Sequence, residues 1–355
     1  MSLAALGWTH LAYPLFARAL ARLRDRTVAR DDTTLPVVAV IVAAHDEESV
    51  IERRIENLRA LDYPPDTLEL VITSDASTDQ TDALAEAAGA RVIRNQRGGK
   101  VAAQDRAVRE TTAEILAFSD ANCTWAPDAL RMLVRSFADP EVAYVCGRLN
   151  IQAEDGRNKE GVYWKYELAL RAAESRIDSV TGGNGSIYAV RREDYVEVDS
   201  RFGHDLSFPY LMVQRGKRAV YEPEANAYEK ATPTNEDEYL RKVRMFEHCW
   251  AIVLEGKMLR GLRPLYLVEV LSHRHLRYAS GLLHLALLAT SIALVGHGVF
   301  YAVALGAQLG VLAAALLGVG LPRYYVLVTW ATVVALWNYV RRGVPSTWEV
   351  AEGTR

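Results

Sequence analysis

The chain has 355 residues, half of them hydrophobic, and a formal net charge of -3. The length exceeds one ordinary domain and implies one large α/β unit with something added, while the near-neutral balance gives no electrostatic footprint for nucleic acid. Three scattered cysteines, Cys123, Cys146 and Cys249, show neither zinc-ligand spacing nor a disulfide framework and fit a reducing compartment.

Residues 3–20 are apolar apart from Arg18 and a few polar positions, and Arg22, Arg24, Arg26 and Arg30 follow. Residues 1–30 read either as a spanning helix with a cytosolic basic flank or as an amphipathic helix in the membrane interface. A cleaved signal peptide is disfavoured because the charges follow the apolar stretch. Residues 31–230 then alternate strand and helix signals. Strand-type runs occupy residues 37–42, 68–73, 90–93, 115–118 and 142–145, with helices over 48–61 and through Ala88. That alternation predicts an α/β domain with a mostly parallel, Rossmann-like sheet, whose ligands lie outside the carboxyl ends of its strands.

Acidic clusters lie at those ends. Ala44-His45-Asp46-Glu47-Glu48 follows the first strand, Ser74 to Asp79 the second, and Asp120-Ala121-Asn122 the fourth. Each alone also suits a helix cap. Together they suit hydroxyl and base recognition, or a cation bridging carboxylate to phosphate; Mg2+ or Mn2+ on Asp120 and Asn122 matches such a donor set.

These motifs, in this order, resemble those of the membrane-associated family-2 inverting glycosyltransferases, which include cellulose, chitin and hyaluronan synthases. The resemblance implies a GT-A fold in which Ala44, Asp46, Glu47, Asp75, Lys100, Asp120, Arg241 and Arg244 contact a nucleotide sugar, and Asp120 and Asn122 hold the metal. Gly98-Gly99-Lys100 resembles the basic segment near the nucleotide, Asp120-Ala121-Asn122 stands in place of D-x-D, and Asp205 in place of the catalytic acid. Arg241 to Met245 stands where synthases carry Q-x-x-R-W, and Arg244 with Arg241 or Lys242 suits clamping of diphosphate oxygens. Gly183, Asn184 and Gly185, with Trp164 and His204, fall where the acceptor is expected. The departures are Asn122, Ala76 in place of Gly, His204 in place of an acid, and Arg241 and Met245 in place of Gln and Trp.

Residues 231–277 read as amphipathic interfacial helices. The stretch 279–321 lacks Asp, Glu, Lys and Arg, and a second such run covers 324–339. Together they predict about three spans within 278–340, broken near Gly296-His297-Gly298, before a polar tail at 341–355. Three spans after a cytosolic domain would put Arg341-Arg342 outside, against the positive-inside tendency, so one candidate reads as interfacial or re-entrant. The basic cluster His273, Arg274, His275 and Arg277 reads as a juxtamembrane anchor or a lipid-headgroup site.

The expectation is an inner-membrane enzyme with a cytosolic catalytic domain. It would move sugar from a nucleoside-diphosphate sugar, UDP-linked by preference, to a polysaccharide or lipid-linked glycan, with Asp205 as general base. Few spans for a channel leave open a homo-oligomer, export or assembly subunits, or single transfer to a lipid acceptor. The alternative is a catalytically weakened nucleotide-sugar-binding or scaffold subunit, motivated by Asn122, His204 and Met245. A nucleotide-driven transporter subunit is poorer, because no G-x-x-x-x-G-K-[ST] loop occurs.

Overall fold

The computed structural model describes residues 1–152, 161–231, 234–255 and 257–344. Most of the expected polar tail, 345–355, lies outside them. The chain forms two compact units. One comprises residues 17–233 and 257–266; the other comprises 1–16, 234–256 and 267–344.

The first unit is built on an eight-stranded sheet. Its strands are β1 Val38–Ala44, β2 Leu68–Asp75, β3 Arg91–Asn95, β4 Ile115–Asp120, β5 Thr124–Trp125, β6 Val142–Gln152, β7 Tyr188–Arg191 and β8 Arg218–Lys230, in the order β3-β2-β1-β4-β7-β6-β8-β5. β1 is buried along its whole length. Its seven residues are all Val, Ile or Ala, which suits a central parallel strand covered on both faces. Val38, Val40 and Val42 join one apolar cluster and Ala39 and Ile41 the other, as the period of two requires. Helix Ile51–Arg59 covers the first face with Ile51, Ile55 and Leu58. The second face is covered in part by Lys100–Glu110 and His204–Gln214 through Ala107, Phe208 and Met212.

β1 pairs in parallel with β2 and β4, and β2 with β3. The chain therefore leaves β1 first toward β2 and β3 and later returns to its other side at β4. That reversal opens a crevice at the carboxyl ends of β1 and β4, the usual ligand position in such sheets. β7 runs antiparallel to β4 and β6, and β5 antiparallel to β8, while β6 and β8 are parallel. Neither Tyr188–Arg191 nor Arg218–Lys230 is among the strand-type runs expected from the sequence. Each owes its state to partners distant in sequence, which local propensity does not register.

The second unit is helical. Helix Asn235–Glu255 packs on Gly320–Arg342: Trp250 Nε1 donates to the Thr332 carbonyl at 2.8 Å, and Glu247 accepts from Asn338 at 2.8 Å and Arg342 at 3.1 Å. A β-carbon on Gly281 would lie 2.3 Å from the Thr329 carbonyl oxygen, so a missing side chain lets helices Ser280–Leu294 and Gly320–Arg342 touch. Two π-helical turns, Trp8–Ala12 and Leu271–His275, face each other, and Thr9 Oγ1 donates to the Ser272 carbonyl at 2.6 Å. Among the described residues two segments, Ser280–His297 and Val299–Leu316, are long and apolar enough to cross a membrane, rather than three. The helix containing 324–339 also carries Arg323, Arg341 and Arg342. The break between the two apolar segments falls at Gly298 (φ +156°), as its flanking sequence suggested.

Candidate active site

The crevice is assembled from four loops of the sheet unit. Its first two acidic clusters are knitted to each other. Asp46 Oδ1 accepts from the Thr78 amide at 2.7 Å, the Glu47 amide donates to Thr81 Oγ1 at 2.7 Å, and the Glu48 amide donates to Asp79 at 3.1 Å. Asp46 (φ +52°) and Ala76 (φ +56°) both hold left-handed backbone without being glycine, the kind of local strain that persists where surrounding bonds enforce it. Partial burial alone would raise the Asp46 carboxyl; the Thr78 amide, His45 and the Asp79 amide outweigh it and hold the group below the usual carboxylate range.

Asp75 ends β2 and is fully buried. It accepts from Arg97 at 2.8 Å and from the amides of Gly98 at 2.7 Å and Gly99 at 3.0 Å. This grip turns the chain at Gly99 (φ +91°) so that Lys100 begins a helix pointing back into the crevice. The Lys100 ammonium ion pairs with Asp120 at the end of β4. Burial alone would lower the pKa of Lys100; Asp120, then Asp205 and Glu229, outweigh it and raise the value.

Opposite stands the segment 183–186. A β-carbon on Gly185 would lie 3.1 Å from Lys100 Nζ, 3.5 Å from Asp120 Oδ2 and 3.9 Å from Asp205 Oδ2, so these three groups ring the space over that glycine. The segment is held from behind. The Ser186 carbonyl accepts from Ser119 at 3.0 Å and Trp125 Nε1 at 2.9 Å, and buried Arg54, 5.1 Å from the Trp125 ring centre, donates to Ser119 at 2.8 Å. Ser186 Oγ lies 3.3 Å from Asp120 Oδ2 and also donates to Glu229.

Asp205 enters from the first turn of helix His204–Gln214. The N-cap is Gly203 (φ +32°) and no side chain caps this helix, so the Asp205 carboxylate is not spent on its amides. Its backbone carbonyl accepts from the Gly183 amide at 2.8 Å, which joins Asp205 to the glycine-rich segment. No hydrogen-bond donor among the described residues holds its carboxylate, which is half-buried.

Comparison with known proteins fits this arrangement. Residues 39–198 match the family model described as glycosyl transferase family 2. This segment is a family-2 glycosyltransferase domain. Its relatives include a beta-monoglucosyldiacylglycerol synthase from Synechocystis sp., 32% identical over 164 residues that make up 43% of this chain and 33% of the relative. An N-acetylglucosaminyltransferase from Rhizobium meliloti is 26% identical over 291 residues, 72% of this chain and 67% of that one. The chain spans about a third of the length of the first curated relatives it matches. The fold is shared with the mannosyltransferase PcManGT from Pyrobaculum calidifontis, solved with GDP-Man and Mn2+, at a TM-score of 0.76 and 24% identity over 96% of this chain and 98% of that one.

The remaining expected residues fall apart. His204 is 2% exposed, stacks on Phe208 and meets Tyr188 and Tyr195 hydroxyls, each at 3.3 Å, so it lies behind Asp205 and outside the crevice. Asn184 spends its amide on the Gly147 carbonyl at 2.8 Å and the Ile187 amide at 3.0 Å, fixing the loop. Trp164 donates from its indole to the Leu149 carbonyl at 3.0 Å and packs on the apolar core. Ala44 is the buried last residue of β1, and Glu47 is buried beside it. Arg241 and Arg244 lie on helix Asn235–Glu255 of the other unit, where Arg241 pairs with Glu238 at 2.8 Å. Ser186, Glu229, Arg54 and Arg97 went unnoticed in the sequence. Glu229 sits in the strand that was not expected, and no local pattern marks it.

Asp120 and Asn122, expected from the sequence to hold a divalent cation, would offer one carboxylate and one amide oxygen, both hard oxygen ligands. No group of three His, Cys, Asp or Glu side chains that could hold a metal occurs among the described residues. A cation held by such a pair would complete its shell with substrate phosphates, as Mg2+ and Mn2+ do.

Proposed function

We propose that the chain is a membrane-bound inverting glycosyltransferase that moves a hexosyl or N-acetylhexosaminyl group from a nucleoside-diphosphate sugar to a lipid-linked or polysaccharide acceptor. The observation that carries the reading is the Asp205 carboxylate, set over Gly185 beside Lys100 and Asp120 and accepting no hydrogen bond among the described residues. A general base must reach its proton, and an uncommitted carboxylate can. Asp205 takes the proton of the acceptor hydroxyl as that oxygen attacks the anomeric carbon. The nucleoside diphosphate leaves from the opposite face, which inverts the configuration. Negative charge grows on the leaving group, and Lys100 is the ammonium nearest to where it develops. A divalent cation on Asp120 and Asn122 would neutralise further diphosphate charge.

Membrane attachment is supported by the two apolar segments, whose side chains are widely exposed: Val299 is 80% and Leu316 89% exposed. Water does not tolerate such a surface over so long a stretch, whereas lipid does. A lipid acceptor agrees with the name of the Synechocystis relative, which places sugar on diacylglycerol.

The test uses detergent-purified full chain with a panel of uridine and guanosine diphosphate sugars, Mg2+ or Mn2+, and lipid acceptors, reading released nucleoside diphosphate. Asp205→Asn is expected to cut transfer by at least a thousandfold while nucleotide-sugar binding stays within threefold. Equal loss of both would assign Asp205 a structural role and sink the base assignment.

A further inference from the structure

Three carboxylates, Asp120, Asp205 and Glu229, surround the single Lys100 ammonium in the crevice, and it is Asp120, the carboxylate suited to a metal ion, that Lys100 engages directly. The cation site and the lysine thus compete for one oxygen pair. Three acids held so close repel one another unless a cation stands among them, and Lys100 is the cation that ion pairs with Asp120 among the described residues, while Arg54 acts on it only through its field. Its helix is N-capped by Gly99, whose amide is held by Asp75, so the lysine stem is anchored and its ammonium lies beside the space over Gly185.

We propose that Lys100 is the resident counter-cation of this site, holding Asp120 in the resting protein and passing to the donor's diphosphate when a divalent cation takes Asp120. The inference rests on the reading of the crevice as a nucleotide-sugar site. A divalent ion arriving alone must displace the ammonium from Asp120 and crowd it against Asp205 and Glu229 with no phosphate to receive it, so it binds poorly. A diphosphate arriving alone meets a ring of carboxylates with its one ammonium already committed, so it also binds poorly. Arriving together, the metal receives Asp120 and Asn122 and the phosphate receives Lys100. Each then raises the affinity for the other by the same factor, as linkage demands. The loss of one negative charge at Asn122, relative to a D-x-D motif, makes this exchange easier to reverse, because the metal is held by fewer charges.

The experiment is a titration of the full chain in detergent with Mn2+, read by the paramagnetic resonance signal of the free ion, with and without uridine or guanosine diphosphate. In wild type, Mn2+ alone is expected to bind weakly and at least tenfold more tightly with a nucleoside diphosphate. Lys100→Met and Lys100→Gln should bind Mn2+ alone at least tenfold more tightly than wild type and bind nucleoside diphosphate more weakly. Lys100→Arg, which keeps the charge, should behave as wild type toward Mn2+ alone. Asp120→Asn should remove the gain when combined with Lys100→Met. If the neutral variants are less stable, added Mn2+ should raise their melting temperature more than it raises that of wild type. A lysine that serves only as a phosphate ligand would lower diphosphate affinity and leave Mn2+ affinity unchanged, and that result overturns the proposal. Transfer is not read here: absence of turnover with every donor would remove the glycosyltransferase reading while leaving this linkage measurable.

Discussion

Gly183 shows how tightly single residues specify the crevice. A β-carbon there would sit 1.9 Å from the Tyr144 hydroxyl and 3.3 Å from the Asp205 carbonyl. Tyr144 is fully buried among Tyr188 and Phe208, so it has no room to retreat. Gly183→Ala is therefore expected to destabilise the chain by about 2 kcal/mol, the usual scale of overpacking, and to slow transfer by displacing Asp205. Denaturant midpoints and turnover measured on one preparation check both; unchanged values would show that the aromatic stack yields. From the sequence, Gly183 was legible only as a residue falling where the acceptor is expected. That its partner would be a tyrosine from β6 was not, because Tyr144 and Gly183 meet only when β6 and β7 pair. The same holds for His204: it was expected at the acceptor, but helical geometry turns adjacent side chains about 100° apart, and His204 goes into the core while Asp205 faces the crevice.

At the scale of elements, the loops after β1 and β2 act as one piece. Asp46 joins them through Thr78, and its carboxyl is held below its ordinary range by that amide, His45 and Asp79 against the opposing effect of burial. A group depressed in the folded state contributes stability above its unfolded pKa, about 4, and loses it as pH falls through the folded value. Asp46→Asn keeps a residue tolerant of left-handed backbone and removes only the charge. Wild type should therefore be the more stable protein at pH 6, with the difference shrinking as the pH falls below about 4, in chemical unfolding at a series of pH values. A constant difference across that range would show that the ionised form is not what the loops recognise. The clusters after β1 and β2 were legible as acidic and turn-rich. Their mutual hydrogen bonding was not, because the two are joined by parallel pairing of strands thirty residues apart.

At the scale of the whole molecule, the apolar helices expose side chains that lipid accommodates better than water. Val303 and Leu309 on Val299–Leu316 are 64% and 52% exposed. Arginine at both positions would cost about 3 kcal/mol each at the centre of a spanning helix. Val303→Arg with Leu309→Arg is expected to release the chain from phospholipid vesicles in flotation, with nucleotide binding by the sheet unit kept. Undiminished flotation would sink the assignment of that helix to the bilayer.

What the sequence determined by itself is the chemistry on offer and its order: buried strands ending in acids, a lysine after two glycines, an aspartate before an apolar helix, and charge-free segments at the end. These are local properties, carried by periodicity and composition. The tertiary structure alone decided which of these groups share a space. Lys100, Asp120 and Asp205 meet over Gly185 because β4 and β7 are neighbours, while Glu229 joins them from a strand whose existence depends on pairing with β6. Long-range pairing leaves no trace in a short window of sequence, and it is long-range pairing that turns scattered charges into a site.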